Sequence, residues 1–394
     1  MISVSEAKKI INEGDFSLQP VTLSLQDSAG LILAEDVYAI ADIPAFPQSS
    51  MDGYAFCFRG WKQNKNLKIT GEVAAGSNET FQLAPENAVR IFTGAAVPDG
   101  ADTVIMQEKV QVENGELKIE DESLKEGNSV RSKGSEIKAG ALALEKENIL
   151  SPAAIGFLAG IGVTEVKAYP NPSISIIITG NELQQPGKPL QHGQVYESNS
   201  FALTAVLWQL HIENIQILYA TDNPEIVIDT LKKALDQSDV VLLTGGVSVG
   251  DYDFVLQAAT ACGVEKLFHK VKQRPGKPLY FGRKKNKVVF GLPGNPSSVL
   301  TCFYHYVIPA LEKLSKRTIG LQTMKAPLAK TFQKNTGLTH FLKGFYNGKI
   351  ATPLDAQESY RLSSFAKANC LIQINEDVTS LNEGDRVDVY LLPQ

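Results

Sequence analysis

Apolar residues change their spacing along this chain, and each change marks a different kind of element. In SVSEAKKIINE, Ala7, Ile10 and Ile11 fall on one helical face, with Ser3 and Glu6 at capping-box spacing, so a helix is predicted over 3–13. Past residue 40 the texture turns to short β segments, entered through the ordered loop DIPAFPQSSMDGYAF. Val110 and Val112 alternate with polar residues, Asn114-Gly115 supplies a type I′ turn, and Leu117 and Ile119 alternate back, which predicts a hairpin. SPAAIGFLAGIG, 151–162, returns to helix and is expected to pack near the first helix, making the β-rich stretch an insertion.

From residue 170 strand and helix patterns alternate. PSISIIITG, IENIQILYA, DVVLLTGG and KVVFGLPGN read as strands, and SNSFALTAVLWQL and SSVLTCFYHYVIPALEKL as helices. TDNPEIVIDTLKKALDQ opens on Pro224 and carries Val227, Leu231, Ala234 and Leu235 on one face, and a further helix begins near Asp253. This alternation predicts a doubly wound α/β domain with a mostly parallel sheet. After residue 320 the chain is β-like again and ends on the strand in EGDRVDVYLLP.

Composition narrows the class. The 394 residues are 43% hydrophobic and 21% charged, an ordinary globular balance for several domains. A net charge of −5 argues against sequence-independent nucleic-acid binding, so an anionic ligand must be met by local basic groups. Cys57, Cys262, Cys302 and Cys370 are scattered without a CxxC, which disfavours zinc and points to a reducing compartment. MISVSEAKKI is no signal peptide and no apolar run reaches membrane-spanning length, so the expected location is the cytoplasm, with no membrane partner.

Ligands of open α/β sheets bind beyond the carboxyl ends of the strands. Glycine-bearing loops leave three strands there: TGNEL (179–183), TGGVSVGDYD (244–253) and GLPGNPSS (291–298). None is a dinucleotide fingerprint or a P-loop. Gly245, Gly246 and Ser248, with Pro293, Gly294 and Asn295, are candidates for backbone contact with substrate. The basic run FHKVKQRPGKPLYFG brings Lys270, Lys272, Arg274 and Lys277 close together, with Gly276 in the turn. In a continuous strand 270, 272 and 274 share a face, and Lys272 can equally be a solvated edge residue. Carboxylates beside these cations make sense around a divalent metal, since Mg²⁺ takes one or two carboxylates plus phosphate oxygens. Asp253, Glu182 and Asp222 would supply them, with Asp251 as helix N-cap. Asp52, on an Asp-Gly turn, and Thr93 read structurally by themselves.

Taken together, SSMDGYAF, FTGAAVPDGADTVIMQE, TGNEL, GGVSVGDYD, RPGKPLYFG and GLPGNPSS, in this order between Ser49 and Ser298, resemble the molybdopterin molybdenumtransferases. These are the bacterial MoeA proteins and the E domains of gephyrin and its plant counterpart. The resemblance implies a homodimer of four-domain subunits: a discontinuous first domain (1–41 plus 140–168), an inserted β-rich domain (42–139), an α/β molybdopterin-binding domain (169–318) and a C-terminal β-barrel (319–394). It implies insertion of molybdate into adenylylated molybdopterin with release of AMP, dependent on Mg²⁺, at a site shared between subunits. It carries functional roles onto Asp52, Thr93, Glu182, Asp222, Asp253, Lys270 and Lys277, and onto Ser363 or its neighbour Ser364. Three positions depart from the family: Glu136 stands for an aspartate among the metal candidates, Arg274 for a lysine, and Leu338 for an arginine of the molybdate site. Lys343 or Arg361 are the cations that would replace that arginine. Partners implied are a molybdopterin adenylyltransferase and apo-molybdoenzymes. The competing readings are a dimeric peptide-binding scaffold of the gephyrin type and a hydrolase of a pterin-nucleotide pyrophosphate.

Overall fold

The computed structural model describes residues 1–246 and 254–393, in two compact units: Met1–Val21 with Ala168–Gln394, and Thr22–Lys167. In the first, strands Ile215–Ala220, Ile174–Thr179, Val240–Thr244, Lys287–Leu292, Tyr280–Lys284 and Glu265–His269 lie in that order. The first three junctions are parallel and the last two antiparallel. The central strands are buried and mostly apolar because both faces are covered. Ile176, Ile178, Leu242 and Phe290 enter one core, while Ile177, Val241, Leu243 and Val289 point into the other, as the period of two requires.

Helix Pro224–Gln237 starts where Asn223 accepts from the amides of Glu225 and Ile226, and it buries Val227, Leu231, Ala234 and Leu235 on the second core. Helix Val4–Glu13 has the expected reciprocal box between Ser3 and Glu6. Its buried Ala7 and Ile11 join the core that holds Leu311 and Leu314, and it packs on helix Ile308–Ser315. The first helix therefore belongs to the α/β unit, whereas helix Pro152–Gly160 belongs to the other one, contrary to the pairing expected from the sequence. The reason is long-range: the apolar stripe of the first helix finds its partner some three hundred residues downstream.

The C-terminal strands Thr339–Tyr346, Cys370–Ile374, Arg386–Leu391 and Thr323–Pro327 pair antiparallel in that order. Ala351–Pro353 pairs with the first of them, and the Leu328–Ala351 bridge closes the circuit into a small barrel around Leu342, Ile372 and Val389. One more strand comes from the α/β part: Gln273–Arg274 runs parallel to Thr339–His340.

In the other unit, Thr103–Met106, Gly53–Phe56, Asn87–Ile91, Asn66–Val73, Glu116–Ile119 and Val110–Glu113 form one sheet in that order. The hairpin appears as expected, with Val112 opposite Leu117 and positive φ at Asn114 and Gly115. No helix among the described residues is long and apolar enough to cross a membrane.

Candidate active site

The three glycine loops leave neighbouring parallel strands, so their described residues start from one sheet edge. A cavity of 620 Å³ opens there, lined by Glu182, Asn199, Thr244, Gly245, Pro293, Gly294 and Asn295 among others. Gly180 adopts φ +140°, a conformation that favours glycine, and the Glu182 carboxylate folds back over it, with Oε2 2.9 Å from where a Cβ would lie. Gly245, at φ +83°, brings its backbone so near Thr179 that a Cβ would lie 2.5 Å from that carbonyl oxygen. Gly246 shares the positive φ, whereas Ser248, Asp251 and Asp253 lie outside the described residues.

Two lining residues carry no motif. Glu197 is buried, and its oxygens accept from Ser200 N at 2.8 Å and Ser200 Oγ at 2.5 Å. Asn199 donates through Nδ2 to the carbonyl of Gly294 at 3.0 Å, which ties the helix start to the GLPGN loop. Asn199 Oδ1 and Thr244 Oγ1 are buried with no hydrogen bond among the described residues. The only signal for the pair was a Glu-Ser-Asn-Ser run opening an apolar helix, a capping cluster in appearance.

Asp222 accepts from Asn181 N at 3.2 Å, and Asn181 Oδ1 accepts from Asp222 N at the same distance. Glu182 and Asp222 are thus held on adjacent, cross-linked loops. These are oxygen donors of the kind Mg²⁺ uses in ones and twos, although the described residues contain no cluster of three or more metal-binding side chains. Glu136, in the other unit, is exposed, and its amide donates to the carbonyl of Ile43 at 2.9 Å.

The basic run is not one strand. Lys270 adopts φ +67° immediately after strand Glu265–His269, and the two-residue strand Gln273–Arg274 belongs to the barrel sheet. The common face expected for residues 270, 272 and 274 therefore does not form. Lys272 is half-buried, its amide donates to Ile2, and its charge adds to the Ser3 hydrogen bonds that hold the Glu6 carboxyl low. Gly276, at φ +83°, packs where a Cβ would lie 2.5 Å from Cys302 Sγ. The turn it makes separates two cavities. Pro278 lines the 620 Å³ cavity, while Arg274 and Pro275 line another of 530 Å³, with Lys334, Leu338 and His340. Arg274 is thus parted from Glu182 and Asn295, and the exposed Lys277 follows it within the same turn.

Lys343 does not face a ligand. It is 2% exposed, and its Nζ donates to the carbonyls of Ala356, Arg361 and Glu358 at 2.8, 3.1 and 3.3 Å. That excludes it as a replacement for the missing arginine. Its job is to shape the loop that brings Tyr360 and Leu362 to the cavity wall, a loop also fastened by Asn295 Nδ2 donating to Ser359 Oγ at 2.8 Å. Arg361 is exposed and paired with Glu358 at 3.2 Å. Ser363 is exposed on helix Leu362–Phe365, whereas Ser364 is buried and donates to the Ala356 carbonyl at 2.7 Å.

In the other unit, paired strand ends bring Asp52 and Thr93 together. Asp52 Oδ1 accepts from both Thr93 N and Thr93 Oγ1 at 2.8 Å, leaving Oδ2 uncommitted. The Thr93 amide, then its hydroxyl, then the Arg90 charge hold this carboxyl below the usual range. Arg90 lies over the rings of Tyr54 and Phe92 at 5.1 and 5.2 Å.

Three family models match the chain in succession: the MoeA N-terminal region (domain I and II) over residues 2–162, a probable molybdopterin binding domain over 175–313, and the MoeA C-terminal region (domain IV) over 325–392. A molybdopterin molybdenumtransferase of Haemophilus influenzae is 35% identical, the match covering 99% of this chain and 98% of the relative. One from a Nostoc species is 34% identical over 100% and 94%. The crystal structure of a molybdopterin biosynthesis MoeA protein from Pyrococcus horikoshii superposes with a TM-score of 0.82 at 31% identity, covering 99% of both chains. With its fold and length both matched, the chain belongs to the molybdopterin molybdenumtransferases, enzymes of molybdenum cofactor biosynthesis.

Proposed function

We propose that this enzyme inserts molybdate into the dithiolene of adenylylated molybdopterin and releases AMP in a Mg²⁺-dependent reaction. The 620 Å³ cavity at the ends of three parallel strands carries this reading. Its size suits a pterin with a nucleotide tail, its rim is built from glycine backbone, and the Pro275–Lys277 turn stands beside it. The Gly245, Gly246, Gly276, Pro293, Gly294 and Asn295 backbones would seat the substrate, with Ser248 and Ser363 adding hydroxyls. Lys270, Arg274 and Lys277 would meet anionic charge. Glu182, Asp222, Asp253 and Glu136 are the candidate metal ligands, and a bound Mg²⁺ would neutralise phosphate charge next to them.

The working form we propose is a cytoplasmic homodimer of four-domain subunits. Exposed Phe201, Trp208, Ile217 and Tyr219 in the α/β unit favour a covered surface. One subunit would then supply Asp52 and Thr93 to the substrate held by its partner.

Product analysis tests the reaction. AMP should appear from adenylylated molybdopterin only when molybdate and Mg²⁺ are both present. AMP release without molybdate would make the enzyme a pyrophosphate hydrolase, and no release in any mixture would favour a scaffold. Subunit mixing tests the shared site: Asp52→Ala and Asp253→Ala should each be inactive alone. Random mixing should restore ~25% of wild-type activity, because half the dimers carry one intact site. A mixture as inactive as its components, with exchange verified, would place both residues in one subunit's site.

A further inference from the structure

Arg274 and Lys277 are exposed on a loop that closes where Val271 N donates to Lys277 O at 3.0 Å. One buried side chain spans this loop. Gln273 is 1% exposed; its Nε2 donates to Gly276 O at 3.0 Å and to Cys302 Sγ at 3.5 Å, and its Oε1 accepts from the Tyr306 hydroxyl. The fit is close, since a Cβ on Gly276 would lie 2.9 Å from Gln273 Nε2. Cys302 and Tyr306 are fully buried, the first ending helix Pro296–Cys302 and the second within the π-helical turn Phe303–Val307 that follows. The Cys302 thiol also donates to Gly276 O, at 3.7 Å. A buried amide partnered at both ends keeps one orientation, because any other would leave a polar atom unpaired.

We propose that Gln273 is a positioning residue for the reaction, fixing where Lys277 stands relative to Arg274. The inference rests on the reading above that these two cations meet anionic charge. The Gly276 carbonyl belongs to the planar peptide unit that leads into Lys277, so holding its oxygen sets the direction in which Lys277 leaves the chain. At the other end of the brace, the Gln273 backbone is in register with Thr339 of the barrel, and the next residue, Arg274, with His340. One side chain thus ties both cations to a single frame. Tyr306 acts one step further back: by donating to Gln273 Oε1 it turns Nε2 toward Gly276. Cations that stabilise developing charge depend on their distance from it, and a displacement of ~1 Å can cost up to ~10²-fold in rate.

The double variant Gln273→Met with Tyr306→Phe separates the brace from the fold. It removes donor and acceptor together, so neither is stranded, and Gly276 O keeps the Cys302 thiol. Its melting temperature should stay near that of the wild type. Hydrogen exchange at the Val271 amide should quicken, which reads the loop without any assay of the reaction. In molybdate-dependent AMP release, kcat should fall ~10-fold or more with KM for adenylylated molybdopterin little changed. Gln273→Glu supplies a second test. Its protonated carboxyl can donate to Gly276 O and accept from Tyr306 as the amide does, whereas the ionised form only accepts. Turnover relative to the wild type should therefore fall as pH rises through that carboxyl's pKa, which burial raises. Unchanged Val271 exchange in the double variant would overturn the brace. Quickened exchange with wild-type kcat, where Lys277→Ala loses turnover, would overturn its positioning role. Should the double variant melt early, Gln273→Glu decides: a ratio to wild type that is flat with pH overturns the proposal. Full turnover in both Lys277→Ala and Arg274→Ala would fault the charge assignment above instead, and no AMP release by the wild type would fault the reaction.

Discussion

The ammonium of Lys343 sits 2.8 Å from the carbonyl oxygen of Ala356, buried inside the protein. Two more carbonyls complete the cage, and Gln357 clamps the same turn by accepting from Lys343 N and donating to Lys343 O. Lys343→Ala would strip the donors from three carbonyls at once. We expect a loss of ~2 kcal/mol or more in urea unfolding, accompanied by lost activity as the Tyr360 loop drifts. Unchanged stability with lost activity would mean the ammonium meets substrate after all.

Thr93 keeps Asp52 ionised. The folded pKa of Asp52 lies below its ordinary value, so the carboxylate persists, with its stabilising bonds, until the pH falls through that lowered value. Thr93→Val removes one of the two donors and raises the pKa, so the acidic limb of the pH–activity profile should move to higher pH. Asp52→Asn should cost ~10²-fold or more at pH values above that acidic limb, where the wild-type carboxylate is ionised. An acidic limb that stays put in Thr93→Val would show that Asp52 does not set it.

Gly180 tests whether the folded-back position of the Glu182 carboxylate matters to turnover. Gly180→Ala sets a Cβ at φ +140° and 2.9 Å from Glu182 Oε2. A stability loss of ~1 kcal/mol or more is expected, with turnover falling toward that of Glu182→Gln. If turnover held while stability fell, the position of Glu182 would be immaterial.

Lys8 links the first helix to the barrel: its Nζ lies 3.3 Å from the Tyr390 hydroxyl and 4.6 Å from the centre of that ring. Burial lowers its pKa from 10.5 to about 8. The charged form therefore weighs against the fold below that value, and the penalty fades as pH rises toward 10.5. Stability of the wild type relative to Lys8→Met should improve between these limits, and equilibrium denaturation at both ends would reveal it. A constant difference would refute the assignment.

Local signals proved legible in the sequence and long-range ones did not. The Ser3–Glu6 box, the Asn114-Gly115 turn and the Pro224 start depend on neighbours within four residues, and all three form as expected. The convergence of the glycine loops followed from strand alternation alone. Lys270 misled because a single left-handed residue resets the side-chain period, and lysine gives no warning of that conformation as glycine would. Lys343 misled because its partners are carbonyls, which carry no residue identity. Glu197 and Asn199 went unnoticed since their roles depend on Ser200 and Gly294 being close, a matter of packing.

The strand Gln273–Arg274 gives the barrel a history tied to its neighbour. A C-terminal fragment beginning at Thr323 would contain every other barrel strand and lack this one. Its Thr339–His340 edge would stand bare, an invitation to pair with another chain. The barrel is therefore poor material for recombination or for expression by itself. Any insertion in the Pro-Gly-Lys turn would also pull on a sheet more than sixty residues further along the chain, so the length of that turn is fixed by two folds at once.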